Sequence, residues 1–94
     1  MSDVVKAAVE KLGEKIGSFP STAKFVIENE GSLMIDENGV RAGDEAAEVT
    51  LKANRETFEG ILDGSVNPAT AFMTGRLTID GSMGIAMQLG QALS

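Results

Sequence analysis

The run Ala47-Glu48-Val49-Thr50-Leu51-Lys52-Ala53 restricts the fold more than any other stretch of the chain. Ala47, Val49, Leu51 and Ala53 alternate with Glu48, Thr50 and Lys52, the period of two that marks a strand with one dry face and one wet face. A second alternation, Phe25 and Ile27 against Lys24, Val26 and Glu28, is broken by Gly31 and resumes over Ser32 to Asp36 around Leu33 and Ile35. This predicts two strands joined as a hairpin. Asp36-Glu37-Asn38-Gly39 follows with the Asn-Gly signal of a tight turn. Arg76 to Asp80, with Leu77 and Ile79 on one face, reads as a further short strand.

Helical periods surround these strands. Residues 3 to 16 place Val5, Ala8, Val9, Leu12 and Ile16 on one side and Lys6, Glu10, Lys11, Glu14 and Lys15 on the other, with Gly17 as a stop. Asn54 suits the cap of a helix with Glu56 in its first turn and Phe58, Ile61 and Leu62 on its inner face, ending near Gly64. Asn67-Pro68 opens a short helix carrying Ala71, Phe72 and Met73 that stops at Gly75. Ser82 caps a last helix, Met83 to Leu93, that is apolar or small almost all round, as a helix is when it is buried or covers an apolar space. One helix, three strands, two helices, one strand and one helix make an α+β layer.

Ninety-four residues suffice for one compact core and are too few for two, so the expectation is a single domain over residues 1–94. At 43% hydrophobic and 23% charged, the composition lies in the globular band. The chain has no cysteine and no histidine. Disulfides, thiolate nucleophiles, Ser-His-Asp and Cys-His relays and the usual zinc sites are thereby excluded, and any metal site would need oxygen ligands alone. A net charge of -6 disfavours a phosphate backbone, and the only aromatics are Phe19, Phe25, Phe58 and Phe72, so nucleic acid is not an expected partner. The start of the chain lacks a charged segment followed by an apolar one, no run is long enough to span a membrane, and Ala92-Leu93-Ser94 is no peroxisomal address. A cytoplasmic location is expected.

The constellations that carry chemistry elsewhere are incomplete here. Asp36, Glu37, Asp44, Glu45 and Glu48 resemble a cation loop in composition. Counted from Asp36, however, the sixth position is Arg41 rather than Gly and the twelfth is Ala47 rather than Glu. Gly39 to Gly43 lacks the Lys and Ser/Thr of a phosphate loop, and Gly81-Ser82-Met83-Gly84 is not a nucleophile elbow. The informative region is the C-terminal third, where Phe58, Ile61, Leu62, Phe72, Met73, Leu77, Ile79, Met83, Ile85, Met87 and Leu89 crowd together with little charge. This pattern fits an ordinary core. It fits equally an adaptable apolar cavity, walled by flexible Met side chains and opened by the small Gly84, Ala86 and Gly90.

The stretch from Asn67-Pro68 through Ala71-Phe72, Gly75-Arg76-Leu77 and Ile79-Asp80-Gly81 to Met83-Gly84-Ile85-Ala86-Met87-Gln88-Leu89 closely resembles the end of the sterol carrier protein-2 domain. Ala47-Glu48-Val49-Thr50-Leu51 is similar to a strand of that family, and Phe58 to Gly64 to the helix before its Asn-Pro step. The likeness covers residues 36 to 93 well; the first helix and hairpin agree in order and type.

The resemblance implies a five-stranded, mostly antiparallel sheet covered on one side by helices and enclosing an apolar tunnel. It implies binding and intracellular transfer of a fatty acid, acyl-CoA or sterol-like ligand by a protein that is not an enzyme and uses no cofactor. Carried over, Phe58, Ile61, Leu62, Phe72, Leu77, Ile79, Met83, Ile85, Met87 and Leu89 become candidate tunnel-wall residues. Three departures bear on the transfer. Gln88 and Arg76 stand where the family often has Lys, which alters any contact with an anionic head group. The acidic charge weakens docking on anionic membranes, leaving at most transient membrane contact. Many members continue beyond the last helix where this chain stops at Ser94, so the expected cavity is more open or is covered by a second subunit in a homodimer. The alternative function is a protein-interaction or dimerisation module with the same fold and a collapsed tunnel.

Overall fold

The computed structural model describes residues 3–93, in the order α1 (Asp3–Lys15), β1 (Ala23–Ile27), β2 (Gly31–Asp36), β3 (Gly39–Ala42), β4 (Val49–Ala53), α2 (Arg55–Asp63), α3 (Pro68–Met73), β5 (Leu77–Gly81) and α4 (Met83–Leu93). The chain ends read above for a leader or an address, Met1-Ser2 and Ser94, lie outside the described residues. The strands form one sheet in the order β3-β2-β1-β4-β5. Every neighbouring pair is antiparallel except the central one, β1 with β4, which is parallel.

The registers put the apolar positions in common rows. Phe25 stands between Leu33 and Leu51, Leu51 pairs in turn with Ile79, and Leu33 with Ala42, so one rung crosses all five strands. Ala23, Phe25, Ile27, Leu33, Ile35, Val49, Leu51, Ala53 and Leu77 are buried on this face. They share one core with Val5, Ala8 and Leu12 of α1, Phe58, Ile61 and Leu62 of α2, Ala71 of α3 and Ala86, Leu89 and Leu93 of α4. All four helices therefore cover the same side of the sheet. This is the α+β arrangement expected from the resemblance.

The strand absent from the pattern reading is β3. The Asn38-Gly39 turn leads directly into it, with Gly39 at φ 111 and the Asn38 N–H donating to Asp36 Oδ1 at 2.9 Å. Its four residues are half-buried or exposed and show no alternation, because it is a short edge strand. The opposite face of the sheet carries Lys24, Arg41, Thr50, Lys52 and Asp80, with the half-buried Val26 and one fully buried side chain among them. Met34 points to that face and is fully buried. The segment after β3 covers it: Gly43 comes so close that a Cβ there would stand 3.2 Å from Met34 Cγ. Ser32 Oγ donating to the Gly43 carbonyl (2.7 Å), Lys24 Nζ to Asp44 (2.9 Å) and Arg41 to Glu45 (3.1 Å) hold that segment down. Four of the acidic residues, Asp36, Asp44, Glu45 and Glu48, thus serve as ties, Arg41 bonding Asp36 as well at 2.7 Å and Glu48 accepting from the Thr22 N–H at 3.0 Å. No helix of the described residues is long and apolar enough to cross a membrane.

Candidate functional site

The last three elements follow from local chemistry. Asn67 Oδ1 accepts the N–H groups of Ala69 (2.8 Å) and Thr70 (3.2 Å), and Pro68 has no N–H to satisfy, so the chain turns into α3 at that point. At the far end Thr74 Oγ1 donates to the Thr70 carbonyl at 2.9 Å, and the Arg76 N–H to the Ala71 carbonyl at 2.8 Å. Gly75 at φ 80 then reverses the chain into β5. Gly81 at φ 112 turns it again, pressed against the backbone of Glu48 and Val49 where no Cβ fits. Ser82 Oγ accepts the Ile85 N–H at 3.3 Å and starts α4.

These elements leave a gap of about 480 Å³ between them and the sheet, within the size range of small-ligand pockets. Its floor is Phe25 of β1, Leu51 of β4 and Leu77 and Ile79 of β5. One wall is α4, through Met83, Ala86, Met87, Gly90, Gln91 and Leu93; the other is Asn67, Pro68, Ala69, Phe72 and Met73 of α3 and its cap. The helical period explains which α4 residues face it: positions 83, 87 and 90 lie on one stripe, while Leu89, about a third of a turn away, is in the core. The walls approach at Gly90, where an added Cβ would stand 3.7 Å from Pro68 Cβ.

Among the described residues no charged group lines the gap, and its polar side chains are Asn67 and Gln91. Asn67's carbonyl oxygen is committed to the helix cap. Titration shifts fall elsewhere. A hydrogen bond from Arg41 holds Asp36 below the usual carboxylate range, and one from Ser65 does the same for Asp63. The site offers burial of apolar surface and little else. Around its mouth Phe72, Met73, Met83 and Met87 are exposed, an uncommon concentration of large apolar side chains on the surface of a small protein.

Of the ten residues singled out from the sequence, Phe72, Leu77, Ile79, Met83 and Met87 line this gap. Phe58 and Leu62 instead border a cleft of about 310 Å³ between α1 and α2, whose rim includes Asp3, Lys11, Arg55 and Glu59. Phe58 reaches the gap indirectly, its ring meeting the Phe25 ring edge-on with centroids 4.7 Å apart. Ile61 and Leu89 are core residues, and Ile85 packs partly buried against the core. Among the small residues, Ala86 and Gly90 face the gap and Gly84 does not. Phe25, Leu51, Pro68, Ala69, Met73 and Leu93 were absent from the sequence-based set. The alternation of β1 and β4 marks Phe25 and Leu51 as inward-facing, but only the order β1-β4-β5 in the sheet brings them to the site.

The model of the SCP-2 sterol transfer family matches residues 2–94. A hydroxysteroid dehydrogenase-like protein 2 of Xenopus laevis is 29% identical over 102 residues, taking in 99% of this chain and 24% of that protein. The peroxisomal multifunctional enzyme A of Dictyostelium discoideum is 41% identical over 51 residues, 54% of this chain and 12% of that protein. The chain thus spans a quarter or less of these relatives. Among solved structures, a sterol carrier protein-2 of Aedes aegypti in complex with palmitate superposes with a TM-score of 0.79 at 18% identity, covering 100% of this chain and 97% of that one. At that identity the likeness concerns the fold.

Proposed function

The chain belongs to the SCP-2 sterol transfer family, and from that premise we propose that it is a non-catalytic lipid-binding domain, residues 1–94 acting as one unit, that holds a single apolar chain in the gap between α3, β5 and α4 and carries it through water. The observation that carries this reading is the gap itself: about 480 Å³, lined by no charged side chain of the described residues, floored by Phe25 and Leu51 and open through a rim of Phe72, Met73, Met83 and Met87. Each methylene moved from water into such a site contributes about 0.8 kcal/mol, so affinity accumulates along an acyl chain without a specific hydrogen bond. Discrimination between chains is then loose, and methionine walls that adopt several rotamers extend the range of shapes accepted. Palmitate in the Aedes aegypti protein of the same fold supports a fatty acyl chain as the cargo class.

The exposed Met73 and Met87 also suit a second reading, in which this face docks another copy of the chain. Native mass spectrometry of the purified protein, followed by denaturing extraction, tests both. The expected result is a monomer carrying one extractable acyl lipid, or an empty monomer that takes up one palmitate per chain when it is supplied. An empty dimer that ignores added lipid contradicts the carrier reading and favours the docking one.

A further inference from the structure

We propose that the mouth of the cavity is an oxidation-sensitive modification site, at which conversion of Met73, Met83 and Met87 to the sulfoxide releases or excludes the lipid; the proposal rests on the lipid-binding reading above. The methionines of the described residues fall into two classes. Met34 is 0% exposed, sealed on the opposite face of the sheet beneath the segment that follows β3. Met83, Met87 and Met73 are 44%, 66% and 83% exposed, and all three line the same cavity. The accessible thioethers of the described residues are thus gathered at one place.

Among the described residues oxidant chemistry is concentrated there, because the chain contains no Cys, Trp, Tyr or His to compete for a peroxide. In the reaction a thioether sulfur attacks the O–O bond of hydrogen peroxide and takes one oxygen atom, and the other leaves as water. Sulfur is oxidised by two electrons and the peroxide is reduced by two. The product side chain is polar, with a strong acceptor oxygen. Among the described residues nothing charged lines the cavity to meet that oxygen, and Asn67 and Gln91 are the polar side chains present. The sulfoxide therefore keeps its water, the rim turns from apolar to hydrated, and an acyl chain loses the wall it was buried against. Reduction of the sulfoxide restores the thioether, so the change is reversible.

The test treats the full chain with hydrogen peroxide, reads each methionine by peptide mass spectrometry, follows the fold by circular dichroism, and measures palmitate binding by calorimetry before and after. The expected oxidation order is Met73, Met87, Met83, with Met34 spared while the fold is intact. Bound palmitate should slow the reaction at Met83 and Met87. Affinity should fall about tenfold or more on oxidation, the cost of leaving a polar group against an apolar chain. A triple variant, Met73→Leu, Met83→Leu and Met87→Leu, is compared only with itself: whatever its untreated affinity, that affinity should not change on treatment. Oxidised protein that binds as before, Met34 reacting as fast as the others, or a triple variant that loses affinity equally, would each overturn the switch. If the untreated protein binds no palmitate, the lipid-binding reading fails and the switch with it.

Discussion

Phe25 stands at the joint between core and cavity. It is fully buried, braced from behind by the Phe58 ring, and its other side forms the floor of the gap. Gly90 is its counterpart on the wall, a residue whose missing side chain keeps the gap open. Replacing Gly90 with Leu removes a glycine from a helix interior, worth up to about 1 kcal/mol of stability, while sending four carbons into the space beside Pro68. Palmitate affinity should fall at least about tenfold with the melting temperature unchanged or raised; unchanged affinity would place the ligand elsewhere. At this scale the sequence is legible where one helix decides. Met83 and Met87 follow from the period of α4, whereas Phe25 and Leu51 reach the site only through long-range strand pairing. Phe58 and Leu62 share the apolar character of the site residues yet face α1, and no local pattern distinguishes the two sides of α2.

Among the elements, α3 is the one whose stability and function separate. It is six residues long, buries Ala71 alone, and presents Phe72 and Met73 at the mouth, so packing contributes little to holding it. Its cap contributes correspondingly more. Asn67→Ala removes the acceptor of two N–H groups, a loss of about 1 kcal/mol confined to this helix. Palmitate binding should weaken about fivefold while the global melting temperature moves by a degree or two. A large drop in melting temperature with intact affinity would show that α3 belongs to the cooperative core rather than to the site. The caps and glycine stops also explain why most elements were readable. Asn54 caps α2 and Gly64 ends it in the left-handed conformation, and Asn67-Pro68 and Ser82 begin α3 and α4. The edge strand β3 carries no such pattern, and the parallel pairing of β1 with β4 joins residues about 26 positions apart, beyond any local signal.

Over the whole molecule, charge and apolar surface are segregated. From Gly64 to Leu93 only Arg76 and Asp80 are charged, and every other charged side chain lies earlier in the sequence. The helices on one side of the sheet therefore divide into a charged half, built from α1 and α2, and a neutral half that holds the cavity. The neutral end exposes the rim of the site, and the net acidic charge of the chain lies on the rest of the molecule. The measurement that bears most directly on the site is a titration of the protein, labelled with carbon-13 at its methionine methyl groups, with palmitate by nuclear magnetic resonance. Met83 and Met87 line the cavity and Met34 lies on the far side of the sheet, so the chain contains its own reference. Saturable shifts of the Met83 and Met87 methyl signals at one palmitate per chain, with Met34 unmoved, are the expected result. No saturable shift, or shifts centred on Met34, would contradict the assignment of the cavity between α3, β5 and α4 as the lipid site.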